Sequence, residues 1–398
     1  MSARRLAWVA GAAAALAWGA CGESDRPPRL GSQGGGGQGA AAGAGGALLD
    51  AGPRDGPPVG DAPGVCGNVV VPVPVERPNL YIVLDRSGSM LEDLDGKTRH
   101  YAARIAIADM LAEIGHRVNY GAAVFPAETL VTGCEPGAEV FATRPGDGPE
   151  WRNSTTFGPV LKSLMLTLGD IPPSGGTPTA ATLVAIEPRL LALSGRTFVL
   201  LVTDGAPNCN GAATCGASEC MLNLIDYSDG TLSCPPEGPN CCDPAVLFDG
   251  PYNCVDRGAT VGAVGRLAAA GIPTYVVGMP GTELYASVLD AAAIAGGTAR
   301  PAPPYYYPVS SATELTDTFR SIGVAVAVSC SITLGEEPPD RGLVNVYLDT
   351  KKVLFDANDG WVWTGNLTLE LRGAACAELK SGDVGQVQVV AGCPTEVL

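Results

Sequence analysis

The chain has 398 residues, 46% of them hydrophobic, with 25 basic against 41 acidic side chains and a formal net charge of -16. That length exceeds what one ordinary domain needs, and the apolar share is enough for a real core. The acidic balance argues against nucleic acid or an anionic membrane surface as a partner, because both select basic patches.

The first 21 residues read as a targeting segment and stand outside fold reasoning. Arg4 and Arg5 form a positive start, and Leu6 to Ala20 is an Ala-rich apolar stretch too short to span a bilayer well. It ends Trp18-Gly19-Ala20-Cys21. Small residues just before a cysteine resemble the lipobox of bacterial lipoproteins, whose cysteine is lipidated and becomes the new N-terminus. Trp18 departs from the usual Leu, and ordinary secretion is the alternative. Gly22 after Cys21 resembles Gram-negative signals that sort to an outer membrane. The expectation is an exported chain: an outer-membrane or cell-surface lipoprotein, otherwise periplasmic or secreted. It would touch the membrane only through a lipid on Cys21.

Residues 22–77 read as a low-complexity linker. Glu23 to Gly64 is dominated by Gly, Ala and Pro, with a glycine run from Gly34 to Gly37. Such a stretch cannot bury an apolar face and reads as a flexible tether.

From Asn79 the sequence runs NLYIVLDRSGSM to Met90. Leu80 to Leu84 is apolar at every position, the mark of a strand buried on both faces. Thr98 to Ile114 is helical, with Ala102, Ile105, Ala106, Met110 and Leu111 on one face. Val118 to Phe125 and Glu139 to Thr143 predict strands, and Val160 to Leu168 a helix. Ser174 to Thr179 reads SGGTPT, a glycine turn leading into a helix over Thr179 to Leu193. A second apolar run, TFVLLVTD, ends at Asp204 before Gly205. Then follow helix Arg257–Ala270, strand Pro273–Val277, helix Glu283–Ala295, a short edge strand over Tyr305–Val309 and helix Ala312–Val326. Strands alternating with helices predict an α/β fold, a Rossmann-like, doubly wound, mainly parallel sheet with helices on both faces.

Two pieces break the alternation. Residues 206–256 form a long insertion rich in Cys, Asn, Gly and Pro. Residues 327–398 show short β-type runs separated by turn signals, and predict a small antiparallel β module stapled by disulfides. This module resembles C-terminal extensions on exported bacterial members of the family named below.

The cysteines agree with export. Setting Cys21 aside leaves an even set of disulfide candidates: Cys66, Cys134, Cys209, Cys215, Cys220, Cys234, Cys241, Cys242, Cys254, Cys330, Cys376 and Cys393. Seven of them fall between Cys209 and Cys254. If all are paired, that odd number requires at least one bridge from the Cys-rich segment to the rest. The connectivity stays open.

Three short motifs carry the chemistry. Asp85 ends the first apolar run, with Ser87 and Ser89 following at alternate positions. Thr177 sits in the glycine turn, and Asp204 ends the second run. Carboxylates and hydroxyls at strand C-termini lie where open α/β sheets place ligands. Hard oxygens suit Mg2+ or Ca2+ better than softer metals. The set Asp85, Ser87, Ser89, Thr177, Asp204 resembles the metal-ion-dependent adhesion site of von Willebrand factor type A domains, over about residues 78–326.

The resemblance implies Mg2+, with Mn2+ or Ca2+ as alternatives. Ser87 and Ser89 would ligate directly, as would Thr177 in the ligand-bound form. Asp85 and Asp204 would act largely through water. Gly88 would let the backbone pass close to the ion. An electrophilic ion would then bind an Asp or Glu presented by a protein partner.

The function expected is extracytoplasmic binding or adhesion, with the Cys-rich insertion shaping specificity. The alternative is a structural envelope or assembly protein whose metal is only structural. No G-x-S-x-G, H-E-x-x-H or phosphate-binding loop motif is present, so no enzyme activity is expected. Asp93 and Asp95-Gly96 suggest a calcium loop but lack the bidentate Glu at the required spacing. His100 and His116 read as surface or packing residues.

Overall fold

A computed structural model describes residues 69–71, 77–127, 132–152, 154–381, 384 and 386–397. The targeting segment with Cys21, most of the expected linker and Cys66 lie outside the described residues.

Among the described residues the first elements are β1 (Val69–Val71), β2 (Asn79–Asp85) and a small hairpin of β3 (Asp93–Leu94) and β4 (Lys97–Thr98). Helix α1 (Arg99–Ile114) follows, then β5 (Asn119–Phe125), β6 (Ala138–Pro145), α2 (Pro159–Gly169), α3 (Thr179–Leu191) and β7 (Thr197–Thr203). The Cys-rich insertion holds one helical turn, α4 (Met221–Leu224), and a hairpin of β8 (Tyr227–Ser228) and β9 (Ser233–Cys234). Alternation then resumes with α5 (Arg257–Ala269), β10 (Thr274–Gly278), α6 (Ala286–Ala295), β11 (Tyr307–Pro308) and α7 (Ala312–Ala327).

β2 is buried at every position, and its side chains divide between two cores. Leu80, Ile82 and Leu84 pack with residues of α1, α2 and α7, including Met110, Leu164 and Phe319. Tyr81 and Val83 pack with residues of α3, α5 and α6, including Leu183, Val264 and Leu289. Helices on both faces explain why this run shows no polar–apolar alternation. The sheet order is β11-β10-β7-β2-β5-β6, parallel except for the edge strand β6. This is the α/β, Rossmann-like architecture that the alternation predicts.

The chain leaves β2 toward β5 on one side and later adds β7 on the other. The order therefore reverses at β2. Connections diverge there, opening a crevice beyond the strand C-termini. Asp85 ends β2, and Asp204 directly follows β7.

The C-terminal part holds β12 (Ser331–Thr333), β13 (Val344–Leu348), β14 (Lys351–Val353), β15 (Trp361–Trp363), β16 (Thr368–Leu371), α8 (Gly373–Ser381) and β17 (Val387–Ala391). Its two antiparallel sheets run β1-β17-β13-β14 and β12-β16-β15. They enclose a core that includes Trp361, Val346, Leu369 and Val389.

Two expectations are corrected here. The linker expected to reach residue 77 is interrupted, because Val69–Val71 pairs with β17 and Val71 enters the core. Three β-branched residues complete an open sheet edge, which is favourable wherever such an edge exists. The module is also not purely β: α8, with the helix-favouring sequence GAACAELKS, buries Ala375 and Leu379, four positions apart, in the same core.

Candidate metal centre

The site is assembled at the crevice above β2 and β7. Both oxygens of the fully buried Asp85 carboxylate are engaged by protein donors. The Ser87 N–H donates to Oδ1 at 2.7 Å, and the Thr203 hydroxyl donates to Oδ2 at 2.5 Å. Asp85 thus orients the serine loop from below. The Ser87 and Ser89 hydroxyls lie 3.1 Å apart. The Ser89 hydroxyl donates to Asp204 Oδ1 at 2.7 Å, so it accepts from Ser87 and keeps one lone pair for a cation.

Thr177 lies beside the same glycine as Ser89. A Cβ built on Gly205 would stand 3.5 Å from Thr177 Oγ1 and 3.7 Å from Ser89 Oγ, so both hydroxyls flank one small space over that glycine. The structure thereby brings Asp85, Ser87, Ser89, Thr177 and Asp204 to one place.

Backbone bonds join the serine and threonine loops. Gly88 N–H donates to Gly175 C=O at 2.9 Å, and Ser174 N–H donates to Arg86 C=O at 2.6 Å. Protein packing alone does not demand a glycine at position 88. A Cβ there would make only an ordinary 3.6 Å contact with Gly175 O. The demanding glycines belong to the threonine loop. Gly175 has φ +84° and would place a Cβ 2.6 Å from Gly133 O, while a Cβ on Gly176 would stand 2.6 Å from Cys209 Sγ.

Four residues outside the motif set hold the centre together. Arg86, 2% exposed, donates from Nε to Pro172 C=O at 2.8 Å and from Nη1 to Pro126 and Ala127 C=O at 3.2 and 2.7 Å. Thr203 holds Asp85. Asn208 grips Thr177 twice: its Oδ1 accepts the Thr177 N–H at 2.8 Å, and its own N–H donates to Thr177 C=O at 2.9 Å. Arg99 pairs with Asp204 Oδ2 at 2.9 Å. Arg86 and Thr203 lie within or beside the motifs, which was the only available signal. Nothing local marks Arg99 or Asn208.

Burial, and then the charge of Asp204, raises the pKa of Asp85, against the donors Thr203 and Ser87. Burial likewise raises Asp204, while Arg99 and Ser89 pull it down. Two buried carboxylates beside hydroxyl oxygens form an oxygen-only set. That chemistry fits a hard divalent cation.

The Asp93–Asp95 loop has a structural use. Asp95 Oδ2 accepts the Ala312 N–H at 2.8 Å at the start of α7, and Asp93 Oδ1 accepts Gly96 N–H at 3.2 Å. Burial, followed by the charges of Arg104 and Arg86, lowers the His100 pKa to about 4. His116 lies past the far end of α1 and accepts a hydrogen bond from Arg117 Nε at 3.1 Å.

The Cys-rich insertion carries the bridges Cys215–Cys254, Cys220–Cys242 and Cys234–Cys241. Cys134–Cys209 ties it to the loop after β5, and Cys330–Cys376 staples the C-terminal part. Cys393 is also disulfide-bonded. The sulfurs of Cys215, Cys242 and Cys254 cluster, but each is in a bridge and offers no thiolate to a metal. Phe248 projects from the insertion at 94% exposure, with Val246 and Tyr252 also exposed. No helix among the described residues is long and apolar enough to cross a membrane.

No protein-family profile matches the sequence, and no curated protein matches it. Solved structures do. The pilus adhesin SpaC from Lactobacillus rhamnosus GG matches at 15% identity and a TM-score of 0.42, over 80% of this chain and 40% of that one. The von Willebrand factor domain of the type V pili tip protein Mfa5 from Porphyromonas gingivalis matches at 11% identity and a TM-score of 0.41, over 65% and 96%. The minor pilin PilB from Streptococcus sanguinis matches at 15% identity and a TM-score of 0.39, over 67% and 63%. The match thus spans about two fifths of the SpaC chain.

Proposed function

We propose that this chain is an exported binding protein of the adhesive kind, and that its α/β domain is a von Willebrand factor type A domain with a metal-ion-dependent adhesion site. Ser87, Ser89 and Thr177 would hold Mg2+ through their hydroxyls, with Mn2+ or Ca2+ as substitutes. Asp85 and Asp204 would supply charge and orientation, largely through water. The bound ion would supply an electrophilic position for an Asp or Glu side chain of a protein partner.

One observation carries this reading: Ser89 Oγ lies 3.1 Å from Ser87 Oγ and 2.7 Å from Asp204, and both it and Thr177 Oγ1 lie within 3.7 Å of where a Cβ on Gly205 would stand. Asp85 supports it indirectly, because both its oxygens are already engaged and leave it a supporting rather than a direct role. The described disulfides favour an oxidising compartment. Attachment through a lipid on Cys21 is part of the same proposal.

The reading is of binding without catalysis. Ser89 donates to a carboxylate already ion-paired with Arg99, which is a poor arrangement for activating a nucleophile.

Calorimetric titration with Mg2+ tests the site. The wild type should bind one ion, and Ser87→Ala and Ser89→Ala should lose that heat while still unfolding cooperatively, Ser89→Ala at a lower melting temperature because it removes a donor from the buried Asp204 carboxylate. Partner capture from envelope extracts should stop in EDTA. Capture that persists in EDTA and in both serine variants rejects the metal mechanism.

A further inference from the structure

Arg99 opens α1 and is only 8% exposed. Its guanidinium lies between two carboxylates, with Nη1 2.9 Å from Asp204 Oδ2 and Nη2 2.7 Å from Glu92 Oε2. The two partners are not equivalent. The Glu92 side chain is 62% exposed and screened by water, whereas the Asp204 side chain is fully buried. Gly281 lies against the pair: its φ is +103°, and a Cβ there would stand 2.8 Å from Asp204 O and 3.2 Å from Arg99 Nη1. Arg99 N–H also donates to Glu92 C=O at 2.9 Å, which fixes the start of the helix beside the serine loop.

Asp204 is therefore shared. One oxygen accepts from Ser89 and the other from a fixed guanidinium. A permanent positive charge stands one carboxylate away from the hydroxyls that would hold the ion. Like charges repel more strongly in a partly buried site than in water.

We propose that Arg99 is a built-in counter-cation that weakens metal binding and keeps the bound ion electrophilic, so that the partner's carboxylate completes the charge balance. This rests on the metal-site reading above. Without Arg99 the ion would face a more negative protein, bind more tightly, and attract an external carboxylate less. A purely structural Arg99 would have a different signature, since its loss would loosen Asp204 and weaken metal binding.

The test is Mg2+ titration of the full chain by calorimetry, with melting temperature recorded alongside. Arg99→Gln should bind Mg2+ at least fivefold more tightly than the wild type. Arg99→Lys, which keeps the charge though not the fork, should stay within about threefold of the wild type. Arg99→Ala gives a second arm: added ethylguanidinium should lower its Mg2+ affinity back toward the wild-type value. Unchanged or weaker Mg2+ binding by Arg99→Gln, in a chain whose Ser89→Ala variant loses the ion, overturns the counter-cation role alone. A wild type that takes up no Mg2+ overturns the metal site itself, and this inference with it.

Discussion

The Thr203 hydroxyl donates to Asp85 Oδ2 at 2.5 Å, joining the ends of two neighbouring strands across 118 positions of sequence. Both residues are essentially inaccessible to water. Thr203→Val keeps the shape and removes the donor, leaving a buried carboxylate oxygen without that bond. The expected loss of stability is about 2 kcal/mol, read from urea denaturation. Thr203→Ser should restore most of it.

The threonine loop is clamped from the insertion side. Asn208 makes two hydrogen bonds to the Thr177 backbone, and the Cys134–Cys209 bridge packs on Gly176. Replacing both Cys134 and Cys209 by Ser should speed hydrogen exchange at the Thr177 amide by at least tenfold while β2 amides stay protected. Asn208→Ala should act in the same direction and weaken Mg2+ binding. Equal protection of Thr177 in all three proteins would show that the clamp is dispensable.

Arg86 supplies donors to three backbone carbonyls, those of Pro126, Ala127 and Pro172. These belong to the loop after β5 and the segment before the glycine turn. Arg86→Met should leave them short of donors and cost about 2–4 kcal/mol, measured by chemical denaturation. Arg86→Lys should recover only part of this, because one ammonium cannot reproduce a planar fork.

His100 sets a pH dependence whose sign is fixed. Burial and the nearby Arg104 and Arg86 charges lower its pKa from 6.5 to about 4, so the folded imidazole stays neutral where the unfolded one takes a proton. The unfolded chain then binds more protons, and this contribution to stability falls as pH drops from about 6.5 toward 4. The loss is at most about 3 kcal/mol. His100→Leu should abolish it, so the variant should gain on the wild type as the solution is acidified. A constant difference between the two unfolding free energies from pH 7 to pH 4.5 would contradict the assignment.

How much was legible followed from how local each signal was. The apolar runs ending at Asp85 and near Asp204 announce strands buried on both faces, and the helices between them follow from spacing. The odd number of cysteines between Cys209 and Cys254 called for a bridge out of the insertion if all were paired, and Cys134–Cys209 provides one. Val69–Val71 was hidden, because a three-residue edge strand has no period to read, and its value depends on β17, more than three hundred positions later. Helix α8 was hidden because nine residues among short β-type runs show too few turns for a helical period.

Residue types and short spacings alone determined the α/β alternation and the carboxylate or hydroxyl groups at the ends of the apolar runs, because buried strands and tight loops imprint their chemistry on neighbouring positions; grouping Asp85, Ser87, Ser89, Thr177 and Asp204 as one ligand set was what the family resemblance implied. Only the tertiary structure decided which charges meet. Arg99 faces Asp204 across 105 positions and Asn208 holds Thr177 across 31, while the Asp95 carboxylate serves a helix start 217 positions away. Electrostatic and hydrogen-bond partners are selected by distance in space, and that distance exists only once the sheet has brought its strand ends together.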